Sequence, residues 1–235
     1  MLKVSRQPQG QPEIFHSLQG EGVNIGMPCV FLRLALCNLR CSWCDTKYTW
    51  DWKHYQYDQE VLDMEPEAVE QCILAYNCHH LVLTGGEPTL QATQAVPLLQ
   101  SLRQRGFFIE VETNGTILPE QEFSALVNQW NVSPKLNNSG NSPQRREVSR
   151  ALAYFAGLAH AYFKYVIDNP EDLAEVLRLN ENYAIPAART LLMPQATDPA
   201  ELSRKSVWLT ELCKENGFRF SNRLHILLWG DSRGI

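Results

Sequence analysis

Short apolar runs bounded by Gly, Pro and Asn alternate along this chain with longer stretches whose apolar residues recur every three or four positions. The short runs have the length and β-branched content of strands, and the longer ones have the period of amphipathic helices. Residues 28–36 are almost wholly apolar, the pattern of a strand buried on both faces. Glu65-Pro66-Glu67 opens a helix, because proline suits a first turn and acids favour the positive end of the helix dipole. Ala68, Val69, Cys72, Ile73 and Tyr76 give that helix one apolar face. The pattern then predicts a strand over 81–84, a helix over 96–105 stopped by Gly106, and a strand over 107–112. It continues with a helix at 119–127, a short strand at 130–133, a polar loop at 137–143 and a helix at 144–156. A strand at 162–167, a helix at 170–180, a strand at 188–193, a helix at 199–216 closed by Gly217 and a last strand at 224–229 complete the series. No repeat or low-complexity tract interrupts it.

Alternation of this kind implies parallel strands joined by right-handed helical crossovers. A full eight-fold barrel takes about 250 residues, and this chain supplies fewer units, so the expected fold class is α/β: a modified partial (β/α) barrel forming one domain over 1–235. Almost every polar motif falls at the C-terminal end of a predicted strand, the face that carries the active site in barrel folds.

Composition narrows the class. Of 235 residues, 44% are hydrophobic and 20% charged, which excludes a disordered chain. A net charge of −5 disfavours non-specific nucleic-acid binding. No apolar run reaches the roughly 20 residues of a membrane span, and residues 1–12 are polar, without a signal-peptide core. The expected location is the cytoplasm, whose reducing conditions suit free thiols.

Cys37, Cys41 and Cys44 stand in the pattern C-x-x-x-C-x-x-C. Three thiolates can hold three irons of a cubic [4Fe–4S] cluster and leave the fourth iron open to an exogenous ligand, such as the amino and carboxylate groups of S-adenosylmethionine. A disulfide framework fits poorly with seven cysteines, an odd number. A zinc site needs a fourth ligand; Asp45 or His54 could supply one, though neither has zinc-finger spacing. Cys29, Cys72, Cys78 and Cys213 lie in apolar surroundings and read as core residues.

Other motifs flank the cysteines. Gly85-Gly86-Glu87-Pro88 follows a strand; two residues without side chains let backbone approach a ligand closely, and Glu87 could add charge toward an ammonium group. Glu112-Thr113-Asn114-Gly115 and Ser133-Pro134-Lys135 also follow strands. Each could be a loop or a cap, or could meet the ribose or carboxylate of a cofactor. Gln19-Gly20-Glu21-Gly22 reads as a polar turn. Arg33 interrupts an apolar strand and must face an anion, either an internal carboxylate or one on a substrate. The tryptophan-rich stretch from Trp43 to Trp52 reads first as core packing, with packing over a cluster at the cysteines or against a dimer partner as the alternatives. Thr46 is by residue chemistry a weak candidate for a Mg²⁺ ligand.

The cysteine spacing together with Gly85-Gly86-Glu87-Pro88 resembles the radical S-adenosylmethionine superfamily. A narrower resemblance covers the first 60% of the chain. Glu13 through Gly22, Phe31-Leu32-Arg33-Leu34, the cysteine run with Asp45-Thr46, Thr84 through Pro88, Val111 through Thr116 and Ser133-Pro134-Lys135 together resemble the 7-carboxy-7-deazaguanine synthases. That family converts 6-carboxy-5,6,7,8-tetrahydropterin to 7-carboxy-7-deazaguanine with loss of ammonia, a lyase step toward queuosine and related deazapurines. The resemblance implies a [4Fe–4S] cluster on Cys37, Cys41 and Cys44, Mg²⁺ on Thr46, and pterin contacts from Leu18, Gln19, Gly20, Arg33 and Thr84. It further implies S-adenosylmethionine contacts from Gly86, Ser133, Pro134, Lys135 and, by looser placement, Gln195. It also implies a homodimer, an electron donor such as flavodoxin or ferredoxin, and a radical mechanism that recycles the cofactor. Two alternatives stand beside it: another radical enzyme, such as a glycyl-radical activase, which would consume the cofactor instead, and a non-catalytic iron–sulfur or zinc protein, against which the Gly-Gly-Glu-Pro and Ser-Pro-Lys segments argue. The resemblance gives residues 224–235 no role.

Overall fold

The computed structural model describes residues 1–235 and contains ten strands and nine α-helices. In chain order the strands are β1 (Leu2–Ser5), β2 (Ile14–Leu18), β3 (Pro28–Leu34), β4 (Val61–Met64), β5 (His80–Gly85), β6 (Phe108–Thr113), β7 (Gln129–Val132), β8 (Ala161–Ile167), β9 (Thr190–Pro194) and β10 (Arg219–Phe220). The helices are α1 (Tyr57–Glu60), α2 (Pro66–Leu74), α3 (Ala92–Gln104), α4 (Gln121–Leu126), α5 (Pro143–Arg146), α6 (Ser149–Gly157), α7 (Asp172–Tyr183), α8 (Pro199–Asn216) and α9 (Leu224–Trp229).

All ten strands belong to one sheet. Strands β3, β5, β6, β7, β8, β9 and β10 run parallel in that spatial order, and helices return the chain between most neighbours. This is the expected partial barrel: seven parallel strands, with β10 reduced to two residues. An antiparallel extension lies beyond β3, where β2 pairs with β3 and β1 pairs with both β3 and β4. The sequence pattern did not predict β1, β2 or β4, because each is short and only part of each is apolar.

The parallel strands alternate in character. Leu81 and Leu83 on β5, Ile109 and Val111 on β6, Trp130 and Val132 on β7, and Phe163 and Tyr165 on β8 all join one large core beneath the helices. The intervening residues face the barrel interior. There, His80, Glu110, Glu112, Gln129, Asn131 and Lys164 are joined by hydrogen bonds. On β3 the interior side carries Phe31 and Arg33, which line the cavity described below, while Val30, Leu32 and Leu34 belong to the core.

Three expectations change. Residues 224–229 form helix α9 and not a strand. An apolar run of six does not by itself distinguish the two; here the sheet edge is already taken by β10, and the Leu224 N–H is held by the Gly20 carbonyl at 2.8 Å. The helix expected over 144–156 is two helices, because Glu147 and Val148 leave helical geometry and the Glu147 carboxylate turns to Arg178. Helix α3 begins at Ala92, four residues before its expected start, and carries Pro97 inside it. Of the four outlying cysteines, Cys29 and Cys213 are buried and Cys72 and Cys78 are partly so; all are free thiols.

Candidate active site

A cavity of about 420 Å³ opens at the C-terminal ends of the parallel strands. Leu18, Gln19, Gly20, Arg33, Cys37, Cys41, Cys44, Thr46, Thr84, Gly86, Ser133, Lys135 and Gln195 all line it. Of the site residues that the family resemblance implies, only Pro134 does not. Segments separated by most of the chain's length are therefore brought to one place.

The cysteine loop leaves β3 through Leu36, which takes a left-handed backbone (φ 74°). Each sulfur has one N–H aimed at it: Leu39 N to Cys37 Sγ at 3.5 Å, Asn141 Nδ2 to Cys41 Sγ at 3.3 Å, and Trp50 Nε1 to Cys44 Sγ at 3.4 Å. N–H donors of this kind favour anionic sulfur. Burial works the other way, pushing the Cys37 thiol up to about 12 and raising Cys41 as well. Thiolates here are thus stable opposite a bound cation, which fits a cluster held at three corners. No three His, Cys, Asp or Glu side chains, the three cysteines included, converge as ligands of one metal ion. Thr46 Oγ1 lies 3.6 Å from Cys44 Sγ. Trp43 and Trp50 wall this part of the cavity, so of these readings packing beside the cysteines replaces plain core packing for both.

Gly85 and Gly86 are required by backbone and not only by a ligand. A Cβ on Gly85 would lie 2.0 Å from the Leu34 carbonyl oxygen, and one on Gly86 would lie 2.0 Å from that of Leu36. The two glycines let β5 end flush against the start of the cysteine loop. Glu87 does not enter the cavity. It is fully buried and accepts bonds from Thr89 N and Oγ1, Thr113 Oγ1 and Asn114 N. Its expected role toward an ammonium group is corrected to a structural one, since four donors already saturate it. Asn114 in turn donates to Asn38 Oδ1 at 2.9 Å, bracing the cysteine loop from the end of β6. Lys135 Nζ donates to Ser133 Oγ at 2.8 Å and sits 5.6 Å from the centre of the Trp43 ring.

Arg33 has the internal carboxylate partner that one of its sequence readings expected. Its Nε donates to Glu13 Oε1 at 2.9 Å, and Glu13, fully buried, also accepts from Tyr48. The two terminal guanidinium nitrogens make no bond within the chain, and Arg33 lines the cavity, so its bidentate fork is available to a carboxylate.

The same cavity holds a charge network whose two cations, Lys164 and Arg223, sequence reasoning missed. Lys164 Nζ bridges Glu21 Oε2 (2.7 Å) and Glu112 Oε2 (2.8 Å). Arg223 contacts three walls at once: Nε to Glu21 Oε1 at 3.1 Å, Nη1 to the Ala196 carbonyl, and Nη2 to Asp45. Burial alone would raise the Glu21 carboxyl, but Lys164 and Arg223 outweigh it and hold the group well below the usual range. Asp45 is lowered in the same way by Arg223. Glu112 goes up, because burial outweighs Lys164. Lys164 interrupts an apolar strand as Arg33 does, so the same signal was present in the sequence. Arg223 had none, since it lies in a segment misread as leading into a strand. Lys205 Nζ, also missed, holds the Gln195 carbonyl at 2.7 Å and Asp168 at 2.6 Å, fixing the loop after β9.

Residues 34–198 match the model of the radical SAM superfamily. The chain is 39% identical over 224 residues to the 7-carboxy-7-deazaguanine synthase of Pyrobaculum aerophilum, covering 94% of this chain and 95% of that one. It is 35% identical to the enzyme of the same name from Halobacterium salinarum, covering 94% and 90%. Among solved structures, QueE from Escherichia coli superposes with a TM-score of 0.69 at 26% identity over 95% of this chain and 94% of that one.

Proposed function

The chain belongs to the radical SAM superfamily and, within it, to the 7-carboxy-7-deazaguanine synthases, and from that membership we propose how its cavity works. The enzyme contracts the ring of 6-carboxy-5,6,7,8-tetrahydropterin to give 7-carboxy-7-deazaguanine with loss of ammonia. The superfamily implies a [4Fe–4S] cluster and S-adenosylmethionine, which together supply the one-electron chemistry that removes and returns a hydrogen atom.

The protein's own residues position, charge and shield. Cys37, Cys41 and Cys44 hold the cluster. Gly86, Ser133, Lys135 and Gln195 bind S-adenosylmethionine, and Pro134 fixes the backbone between two of them. Leu18, Gln19, Gly20 and Thr84 hold the pterin, and the free fork of Arg33 takes its carboxylate. The hydroxyl of Thr46, beside the cysteine loop and without a helix-capping bond, would hold Mg²⁺, a hard cation that suits an oxygen donor and would supply positive charge for an anionic substrate. Trp43 and Trp50 keep water from the sulfurs. Residues 1–235 act as one domain, which the single continuous sheet supports. The working form is a homodimer in the cytoplasm, reduced by a one-electron carrier such as flavodoxin or ferredoxin.

The observation that carries this reading is the meeting, in one cavity, of the three cysteines with Gln19, Arg33 and Thr84. Its test is anaerobic incubation of the iron- and sulfide-reconstituted chain with the carboxytetrahydropterin, S-adenosylmethionine, Mg²⁺ and a reductant. The expected result is 7-carboxy-7-deazaguanine, with far less than one methionine released per product. One methionine per turnover, or a chain that builds the cluster and leaves the pterin untouched, overturns it; omission of Mg²⁺ should lower turnover, and less so in Thr46→Ala.

A further inference from the structure

One layer below the cavity floor lies a carboxylate that the reading above leaves without a task. Glu110 is fully buried on the interior face of β6. Three amides donate to it, Gln19 Nε2 and Asn131 Nδ2 at Oε1 (both 2.5 Å) and Asn24 Nδ2 at Oε2 (2.7 Å), and His80 Nε2 lies 2.9 Å from Oε2. No lysine or arginine contacts it; His80 is its one potentially cationic neighbour. Burying a carboxylate on neutral donors is costly, and the surrounding core does not require it, since Ile109 and Val111 already supply the outward face of the strand.

What a carboxylate surrounded by amide NH₂ groups supplies, and an amide in its place would not, is direction. It only accepts hydrogen bonds. Every amide around Glu110 must therefore turn its NH₂ inward. For Gln19 this leaves one solution: Nε2 faces Glu110 and, at 3.5 Å, Glu112, while Oε1 faces the loop and accepts the Glu21 N–H at 3.2 Å. The same rule orders the rest of the layer. Asn131 gives its NH₂ to Glu110 and Glu112 and accepts from Gln129, whose Oε1 accepts from Asn24. The amide orientations thus form one chain whose polarity is set at Glu110.

We propose that Glu110 is a positioning residue that locks the Gln19 side chain with its carbonyl oxygen toward the Gly20–Glu21 loop, so that the substrate side of the cavity offers an acceptor suited to an N–H-bearing heterocycle. This rests on the assignment of Gln19 to pterin binding. The S-adenosylmethionine side, built from Gly86, Ser133 and Lys135, shares no hydrogen bond with this network.

Glu110→Gln changes one atom type and keeps the volume, but lets each amide turn over. In the anaerobically reconstituted enzyme it should raise the KM for the carboxytetrahydropterin on the order of tenfold, with the KM for S-adenosylmethionine unchanged. Equilibrium binding of the pterin, followed by its fluorescence, should weaken by the same factor. In a Gln19→Met background, Glu110→Gln should add no further loss, because the effect runs through Gln19. Unchanged pterin affinity, an equal loss for both ligands, or a full further loss in the Gln19→Met background each overturns the proposal. If the variant does not fold, a crystal structure of the wild-type enzyme with bound pterin decides. Gln19 bonded at once to Glu110 and to the pterin supports the proposal, and Gln19 detached from either overturns it. A wild-type enzyme that binds S-adenosylmethionine but never transforms the pterin would remove the functional assignment itself, whereas active wild type with an indistinguishable Glu110→Gln would remove only this inference.

Discussion

The two sides of β6 are built of different material. Ile109 and Val111 face the helices and join the hydrophobic core, while Glu110 and Glu112, one residue away in each case, face the barrel interior among Gln19, Asn131 and Lys164. Strand β8 repeats the contrast with Phe163 and Tyr165 outside and Lys164 inside. Because successive residues on a strand point to opposite faces, one backbone carries two independent programmes. The outer face contributes stability through apolar burial. The inner face spends part of that stability on desolvated charge that shapes a site. Substitution on one face should therefore change what substitution on the other does not.

The largest effect expected comes from the inner face. Lys164→Met leaves Glu21 and Glu112 facing each other without their shared cation, and removing one partner from a buried ion pair costs about 4 kcal/mol. Its pH dependence is specific. Glu21 is held below the ordinary carboxylate range, so its contribution is present above about pH 4 and is lost as pH falls toward its folded value. Lys164 is raised, since Glu112 and Glu21 outweigh its burial; its contribution is present below about pH 10 and is lost as pH rises through the folded value. Glu112, raised by burial, opposes part of this from the carboxylate range upward. Thermal melts of wild type and Lys164→Met should thus differ most between about pH 5 and 10 and converge at both extremes. A difference independent of pH would mean that the lysine acts by packing alone.

The outer face gives the next largest effect with the opposite signature. Leu83 is fully buried in the core, next to Thr84 on the cavity side. Leu83→Ala should lose about 3 kcal/mol through lost burial and the cavity left behind. The KM values for pterin and S-adenosylmethionine should not move in the fraction that remains folded. A shift in either KM would show that the two faces of β5 are mechanically coupled.

The same division explains what could be read from sequence. Outer-face residues announce the strands by hydrophobicity, and loop motifs such as Cys37 to Cys44 announce the chemistry by spacing, so the partial barrel and most of the cavity wall were legible. Arg33 stood out because it breaks an apolar run; Lys164 breaks one in the same way and was passed over. What sequence could not supply was pairing. Whether Glu87 meets a ligand or four backbone and hydroxyl donors depends on the distance between β5 and β6, not on its motif. Arg223 becomes part of the site only because Ser221 and Leu224 are hydrogen-bonded to the loop at Gly20–Gly22, two hundred residues away in the chain. Strands β1 and β4 escaped notice because antiparallel pairing with each other satisfies them without a long apolar signal.

The smallest effect belongs to a position on neither face, and it tests whether the contrast is truly one of faces. Gly157 ends α6 in solvent, with no atom within 4 Å of where a Cβ would stand and no left-handed backbone. Alanine there restricts the unfolded chain without straining the folded one. Gly157→Ala should therefore add about 0.5 kcal/mol, a rise in Tm of roughly 1–2 °C for a chain of this length. Both KM values should stay where they are. The same change at Gly86 would drive a methyl group into the Leu36 carbonyl at the root of the cysteine loop, so the gain at Gly157 cannot be a general property of replacing glycine here. A destabilised Gly157→Ala would mean that the end of α6 carries a constraint from outside both the core and the cavity.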